Sequence, residues 1–170
     1  MSAALTLCLL RHAKAEPADG RRDFDRPLAA RGREDCARIA AALAGARFDL
    51  ALVSPAARTK ETFERVAALL ASPPPVRLVR ALYDASAGMI ADEIRAIEPG
   101  PRAALVVGHN PGVWALARML AGAGMPGEMR GLEAGFRPGE FASIAFDADD
   151  WADVEPGAGR LLALFDPAGE

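Results

Sequence analysis

The sequence predicts one α/β domain over residues 1–170, folded as a three-layer αβα sandwich around a mostly parallel sheet. Short apolar runs without alternation, typical of strands buried on both faces, alternate along the chain with helical stretches. A length of 170 residues suits a single domain. With 51% hydrophobic and 25% charged residues, the composition is that of an ordinary globular protein rather than a disordered one.

Apolar segments bounded by turn residues predict the strands of this sheet. The first is Leu5–Leu10, which runs without a polar break and then stops at Arg11 and His12. The predicted strands are residues 5–10, 49–53, 76–79, 103–107, 141–146 and 161–165. Because predicted helices separate most of them, we expect these strands to be joined by crossovers and to run largely parallel.

Apolar residues at helical spacing predict the helices between the strands. The first carries Cys36 and Ile39 on one face and ends at Gly45. The others begin at Ser54-Pro55, cover residues 86–97, begin at Asn110-Pro111, and form a short helix near residues 128–133. Ser54 and Asn110 each precede a proline, so we expect both side chains to cap the helix that follows.

Charge and hydropathy exclude several classes of protein. The net charge is −3 and the basic residues are scattered, which argues against a nucleic-acid partner. The N-terminal apolar run is too short to span a bilayer and ends at Arg11, so we interpret it as a strand rather than a signal peptide or a membrane segment. Cys8 and Cys36 are interpreted as buried thiols in a reducing compartment. We therefore expect a cytoplasmic protein without a membrane partner.

The residues that indicate chemistry follow the ends of predicted strands. Arg11 and His12 follow the first strand, and His109 follows the strand over residues 103–107. Arg58 lies in the first turn after Ser54-Pro55, and Arg26 lies in the long loop after the first strand. Since open α/β sheets bind ligands at the carboxyl ends of their strands, we expect these side chains to share one site.

This set of side chains is suited to a phosphoryl group. Guanidinium groups and helix N-termini bind dianions, and a neutral imidazole can attack phosphorus to form a phosphoramidate. A metal site is the other interpretation of two histidines, but it needs carboxylates or thiolates close by, and Arg11 and Arg58 would repel a cation. We therefore expect neither a metal nor another cofactor.

The same residues resemble a known family. Leu9–Ala13 is similar to the signature of the histidine phosphatase superfamily, whose usual form is Arg-His-Gly. Further motifs resemble the SixA-type phosphohistidine phosphatases within that superfamily. They are Ala13 in place of glycine, Asp25-Arg26-Pro27-Leu28 followed by Gly32, Ser54-Pro55-Ala56-Ala57-Arg58-Thr59, and Val107-Gly108-His109-Asn110-Pro111. Together the motifs extend in order from about residue 5 to about residue 146.

The resemblance implies a phosphoglycerate-mutase-like fold. The segments between His12 and the first helix, and between the Arg58 helix and the strand at Ala103, leave no stretch to build a lid subdomain, so the site should open as a shallow groove. The resemblance also implies a metal-independent phosphatase in which His12 becomes phosphorylated, with a phosphohistidine-bearing protein as its substrate. Arg11, Arg58 and His109 would act with His12 in catalysis. Arg11, Arg26, Arg58 and His109 would hold the phosphate.

Alternatives to this function remain open from the sequence. A small phosphorylated substrate would make the protein a phosphomonoesterase or mutase of the same superfamily, which needs an acid to protonate an alkoxide. Asp84 is a candidate for that acid, although it could equally cap the helix that begins near Ser86. A third possibility, from another class, is a phosphate-binding module without turnover. The sequence identifies neither the substrate nor the oligomeric state.

Overall fold

A single mixed sheet forms the middle of the molecule. The computed structural model describes residues 4–169. Its strands are β1 (Leu5–Arg11), β2 (Leu50–Val53), β3 (Val76–Leu78), β4 (Ala103–Gly108), β5 (Ala121–Ala123), β6 (Phe141–Phe146) and β7 (Gly159–Phe165). They lie in the order β3-β2-β4-β1-β6-β7-β5. The six predicted strands are all present, with bounds that differ by up to two residues.

The sheet is mostly parallel, as predicted. β1 pairs in parallel with β4, β4 with β2, and β2 with β3. β6 runs antiparallel to both of its neighbours, β1 and β7, while β5 is parallel to β7. Among the described residues, β6 is therefore the one strand that runs against the direction of the rest.

Helices cover both faces of the sheet. They are α1 (Ala30–Ala42), α2 (Ala57–Ala67), α3 (Ala87–Arg95), α4 (Gly112–Leu120) and α5 (Pro126–Glu133). Side chains of β1 alternate between the two resulting cores. Leu7 and Leu9 belong to the core that contains residues of α3, α4 and α5, whereas Cys8 and Leu10 belong to the core formed with α1 and α2. The three-layer αβα architecture predicted from the sequence is thus confirmed.

A close approach fixes the start of α1 beside the segment that follows His12. The backbone N–H of Ala29 donates to the carbonyl of Lys14 at 2.9 Å. A Cβ atom on Gly32 would lie 2.1 Å from the same carbonyl oxygen, which no side chain could tolerate. Gly32 therefore lets the first turn of α1 pack directly on this backbone.

The two expected helix caps are absent. The N-cap residue of α2 is Ala56 and that of α4 is Pro111, and neither receives a side-chain cap. The Oγ of Ser54 lies 2.8 Å from Nε2 of His109, and the amide of Asn110 donates to the carbonyl of Phe136 at 2.9 Å. Both polar side chains make tertiary contacts instead, so the prediction of capping by Ser54 and Asn110 was wrong.

The sequence analysis also missed β5, a three-residue strand of small residues in the glycine-rich stretch after α4. Its pairing with β7 has an irregular register, and a Cβ on Gly122 would lie 1.9 Å from the carbonyl oxygen of Gly157. Such a strand has too few side chains to produce an apolar pattern.

Within residues 4–169, none of the helices has the length and apolar character needed to cross a bilayer.

Candidate active site

The parallel pairing of β1 and β4 brings the two histidines together. Arg11 at the end of β1 is in register with Gly108 at the end of β4. The backbone N–H of His12 donates to the carbonyl of Gly108 at 3.1 Å, and the ring centroids of His12 and His109 lie 5.4 Å apart. Both imidazoles are buried and lie at the carboxyl edge of the sheet, where the sequence predicted a shared site.

Hydrogen bonds define which nitrogen of His12 carries a proton. Nδ1 lies 2.7 Å from the carbonyl oxygen of Ala13, and a carbonyl only accepts, so the network assigns the hydrogen to Nδ1. Nε2 is then an unprotonated acceptor, and it receives a hydrogen bond from Nε of Arg58 at 3.2 Å. Burial lowers the pKa of His12 to about 3, aided by the positive charges of Arg58 and Arg11. The imidazole is therefore neutral near pH 7 and has a nucleophilic lone pair on Nε2.

Arg58 extends from the first turn of α2 into the space between His12 and the loop that follows β1. It is almost fully buried, at 6% exposed. Its Nη1 donates to the backbone carbonyl of Asp23 at 2.7 Å, and its Nη2 donates to the Oδ2 of the same residue at 3.0 Å. Thr62, one turn further along α2, accepts from the backbone N–H of Ala13 at 3.1 Å. One helix therefore positions both the guanidinium and the backbone next to His12.

Arg11 is held by the backbone of Phe136, in the segment between α5 and β6. Its Nη1 donates to the carbonyl of Phe136 at 2.8 Å, and this oxygen also accepts from the amide of Asn110. Burial lowers the pKa of Arg11, whereas the charge of Glu140 acts in the opposite direction. The Nε of Arg11 is buried and has no hydrogen-bond partner within residues 4–169. A buried donor without a partner at this place can donate a hydrogen bond to a bound anion.

His109 has a different environment from His12. Its Nε2 lies 2.8 Å from the buried Oγ of Ser54, and its Nδ1 has no hydrogen-bond partner among the described residues. The ring of Tyr83 lies edge-on to the imidazole, with centroids 5.5 Å apart. Burial lowers the pKa of His109 to about 4, and the charge of Arg58 adds to this effect. His109 is thus a second neutral imidazole, which can donate or accept a hydrogen bond.

A cavity of about 450 Å³ is lined by all five residues predicted from the sequence. These are Arg11, His12, Arg26, Arg58 and His109. The cavity opens to solvent beside the 3₁₀ turn at Asp23–Asp25, and the structure has no lid subdomain over the described residues. Three guanidinium groups and two neutral imidazoles thus share one space, which suits a phosphoryl group better than a metal cation.

Arg26 lines the cavity and is held there in part by a hydrogen bond to Asp23. Its Nε donates to the carbonyl of Glu16 at 2.7 Å, and its Nη1 donates to Oδ1 of Asp23 at 2.9 Å. The side chain of Arg26 is partly exposed, at 27%. It therefore lies nearer to the mouth of the cavity than Arg58 does.

Four further residues line the cavity, namely Asp23, Tyr83, Asp84 and Asn110. The sequence analysis considered Asp84 as an acid and Asn110 as a helix cap, and it gave Asp23 and Tyr83 no role. The carboxylate of Asp23 accepts from Arg26, Tyr83 and Arg58. The hydrogen bond from Arg26 contributes most to holding the pKa of Asp23 well below its usual range. In the sequence, Asp23 is one of several aspartates in a polar loop, and nothing in its neighbours along the chain distinguishes it from Asp19 or Asp25.

Asp84 does not cap α3. The cap is Ser86, whose Oγ accepts from the backbone N–H of Met89 at 3.3 Å. Asp84 is exposed, lines the cavity and has a left-handed backbone with φ of 56°. Non-glycine residues rarely adopt this conformation, although aspartate tolerates it better than most. The structure thus leaves Asp84 next to the cavity and without a capping role.

Comparison with known proteins identifies the family of the chain. Residues 7–98 match the family model of the histidine phosphatase superfamily (branch 1). An uncharacterized protein of Mycobacterium tuberculosis is 33% identical over 172 residues, which cover 93% of this chain and 99% of that protein.

Solved structures are similar over nearly the whole chain. A candidate phosphohistidine phosphatase SixA of Nakamurella multipartitia superposes with a TM-score of 0.85 at 28% identity, covering 99% of both chains. A second candidate SixA, from Agrobacterium tumefaciens, gives a TM-score of 0.80 at 28% identity, covering 98% of this chain and 100% of the other. These likenesses show a SixA-type protein with the phosphoglycerate-mutase-like fold, and they support phosphatase activity. The chain belongs to branch 1 of the histidine phosphatase superfamily.

Proposed function

We propose that this protein is a metal-independent phosphatase that removes phosphate from phosphohistidine on another protein. The observation that carries the proposal is the state of His12. Its Nδ1 is held by the carbonyl of Ala13 at 2.7 Å, so that Nε2 presents an unprotonated lone pair to a cavity lined by arginines. A neutral imidazole in this arrangement is a nucleophile for phosphorus.

The reaction proceeds in two transfers. In the first, Nε2 of His12 attacks the phosphorus atom, a new P–N bond forms, and the P–N bond to the substrate imidazole breaks. The leaving imidazole takes back the electron pair of that bond and departs neutral when its other ring nitrogen is protonated. In the second, water attacks the phosphorus of phosphorylated His12, the P–Nε2 bond breaks, and inorganic phosphate leaves. His12 returns to its starting state.

The arginines of the cavity stabilise the phosphoryl group during its transfer. Arg58 lies 3.2 Å from the nucleophilic nitrogen, and Arg11 is the last residue of β1 and directly precedes His12, so both are placed to contact the equatorial oxygens. Arg26 acts at the mouth of the cavity. The Nδ1 of His109, which lacks a partner among the described residues, supplies a further polar contact. Since these groups supply the positive charge that a divalent ion would otherwise bring, the reaction needs no metal.

The ionisation of Asp23 excludes one of the two cavity carboxylates as the proton donor that a phosphate ester would need. An ester releases an alkoxide, which needs a proton from the enzyme, whereas a protonated phosphohistidine releases a neutral imidazole. The guanidinium of Arg26, together with Tyr83 and Arg58, holds the pKa of Asp23 well below its usual range, so Asp23 carries no proton to give. The similarity to candidate phosphohistidine phosphatases at 28% identity supports the same substrate class.

The openness of the site supports a protein substrate. The cavity has a volume of about 450 Å³ and is bordered on one side by the short turn at Asp23–Asp25 rather than by a lid. Small-molecule sites normally enclose most of their ligand. A phosphohistidine that projects from a partner protein can enter such a cavity, and the partner then supplies the missing walls.

The test is a kinetic panel that compares a phosphohistidine-bearing protein with sugar phosphates and phosphoglycerates. We expect a much higher kcat/KM on the protein. Equal or better efficiency on a small ester would overturn the substrate assignment and leave the nucleophile untouched. Asp84→Asn belongs in the same panel, because a selective loss of ester turnover in that variant would identify Asp84 as a proton donor and favour the esterase alternative.

A further inference from the structure

The carboxylate of Asp23 lies where two phosphate-binding candidates converge. Its Oδ2 is 3.0 Å from Nη2 of Arg58, and its Oδ1 is 2.9 Å from Nη1 of Arg26. A carboxylate and a phosphate compete for the same forked donors, because both offer paired anionic oxygens at similar spacing. The cavity therefore contains an anion that belongs to the protein.

Other contacts fix Asp23 in this place. The hydroxyl of Tyr83 donates to Oδ2 at 2.8 Å, and the backbone carbonyl of Asp23 accepts from Nη1 of Arg58 at 2.7 Å. One residue thus engages both Nη atoms of Arg58. The Nε of this guanidinium donates to His12, so each nitrogen of Arg58 has a partner within the protein.

The contact has an electrostatic consequence for any dianion that enters. Asp23 stays ionised over the working pH range, since its pKa lies well below the usual value. A phosphate that binds Arg58 must either displace this carboxylate or lie close to it. Both cases weaken the binding of phosphate, the first by competition and the second by repulsion.

We propose that Asp23 is a built-in competitor for phosphate on Arg58 and Arg26, and that it weakens the binding of inorganic phosphate to the site. The inference rests on the proposed function. Inorganic phosphate is the product, and it has only its own oxygens with which to displace Asp23. A phosphohistidine substrate also binds through its imidazole and its protein surface, so it can overcome the competition. The same carboxylate then hastens release of the product.

A purely structural role for Asp23 makes the opposite prediction. If the carboxylate only oriented Arg58 for phosphate, its removal would weaken the binding of phosphate. If it competes, Asp23→Asn should tighten that binding, because the amide keeps the size and one acceptor but loses the charge. The sign of the change therefore distinguishes the two roles.

The experiment is isothermal titration calorimetry of inorganic phosphate with the full chain, at neutral pH and low salt. We expect Asp23→Asn to bind phosphate about tenfold more tightly than the wild type, a modest factor because half of the Asp23 side chain is exposed and solvent screens its charge. Inhibition of turnover by phosphate should strengthen by the same factor.

Two variants provide matched controls. Asp25→Asn removes the same charge from the same 3₁₀ turn, but Asp25 pairs with Arg22 at 2.6 Å and does not line the cavity. Asp84→Asn removes a charge from the cavity wall without a hydrogen bond to either arginine among the described residues. We expect no change in phosphate affinity for Asp25→Asn and a smaller change for Asp84→Asn than for Asp23→Asn.

Tyr83→Phe keeps the proposal testable if Asp23→Asn folds poorly. It removes the hydroxyl that holds Oδ2 and should tighten phosphate binding by a smaller factor. Unchanged or weaker binding in Asp23→Asn, or equal tightening in either aspartate control, would overturn the role of Asp23. Failure of the proposed site has another signature: the affinity of the wild type for phosphate would then be unaffected by Arg58→Ala.

Discussion

The Nε–H of Arg58 donates a hydrogen bond of 3.2 Å to Nε2 of His12. This contact places a cation beside the lone pair that we assign to the attack on phosphorus, and it also shows that the lone pair is unprotonated. A phosphoryl group that enters between the two side chains would exchange the contact for one from Arg58 to a phosphoryl oxygen. The guanidinium of Arg58 is therefore close enough to Nε2 of His12 to contact an oxygen of a phosphoryl group that is being transferred to this nitrogen.

Replacing His12 should abolish turnover and leave the fold intact. We expect His12→Ala to lose several orders of magnitude in kcat, because the variant lacks the imidazole that we assign to the phosphoenzyme. After incubation with a ³²P-labelled phosphohistidine protein, acid-labile but alkali-stable label should be trapped on the wild type and be absent from the variant. Activity near that of the wild type, with an unchanged circular dichroism spectrum, would contradict the mechanism.

Arg58 should affect both the binding of oxyanions and turnover. Arg58→Ala is expected to weaken vanadate inhibition and to lower kcat/KM by about a hundredfold or more, since a buried charged donor is lost from both ground and transition states. Arg65→Ala is the control, because Arg65 lies on the same helix but pairs with Glu61 at the surface. If vanadate affinity in Arg58→Ala matched that of the control, Arg58 would lie outside the phosphate site.

Chelators should leave activity unchanged. The guanidinium groups of Arg11, Arg26 and Arg58 line the cavity, and their positive charges disfavour the binding of a metal cation there. We therefore expect the same kcat before and after dialysis against EDTA, with vanadate acting as a competitive inhibitor in both samples. Loss of activity that a divalent ion restores would refute the metal-independent reaction.

The two buried histidines should make stability depend on pH. Histidine in an unfolded chain titrates near 6.5, whereas burial lowers the pKa of His12 to about 3 and that of His109 to about 4. Between about pH 4 and 6.5 the unfolded chain binds protons that the folded chain does not. The free energy of unfolding must therefore fall as the pH falls through this window and recover as it rises.

Comparison with His12→Ala isolates one histidine from the other titrating groups. The free energy of unfolding of the wild type, minus that of the variant, should decrease on acidification by up to about 1.4 kcal/mol per pH unit. Urea denaturation between pH 4.5 and 7 measures this difference. Parallel profiles for the two proteins would mean that His12 has the same pKa in the folded and unfolded states, which would contradict its burial as a neutral imidazole.

Ser54 should position His109 rather than cap α2. Ser54→Ala removes the partner 2.8 Å from the buried Nε2 of His109, so we expect a loss of about 1–3 kcal/mol in stability together with a lower kcat. Ser86→Ala, which removes the cap of α3 away from the cavity, should destabilise by about 1 kcal/mol without changing kcat. A kcat unchanged in Ser54→Ala would show that the serine is only structural, and rescue by Ser54→Thr would support a positioning role.

The layers of the fold were predictable from the sequence because they depend on local patterns. The run from Leu5 to Leu10 is apolar without a break, and a strand with both faces buried needs such a run. The edge of the sheet that carries the candidate site was predictable for a related reason. Once the first and fourth predicted strands are parallel neighbours, the residues that follow them, His12 and His109, must lie together.

Side chains with two possible partners could not be assigned in this way. Ser54 and Asn110 have the local features of helix caps, yet Ser54 makes its shorter side-chain hydrogen bond across the fold, to His109 at 2.8 Å, and Asn110 donates across the fold to Phe136 at 2.9 Å. The local contact of Ser54, from the backbone N–H of Ala56, is longer, at 3.5 Å. A cap competes with every other donor or acceptor that folding brings near. The sequence shows only the nearby backbone N–H groups that such a side chain could cap. Which partner it binds depends on the polar groups that folding brings next to it.

The succession of strands and helices along the chain, apart from β5, could thus be predicted from apolar runs and turn residues, and so could the two histidines at the ends of strands. The proton on Nδ1 of His12 and the contacts of Asp23 with Arg58 and Arg26 could be assigned only from the folded chain. For the ion pair, this is because its partners are far apart in the sequence. Asp23 and Arg58 are 35 residues apart, and nothing local specifies an ion pair that forms only when a loop folds back over the end of a sheet.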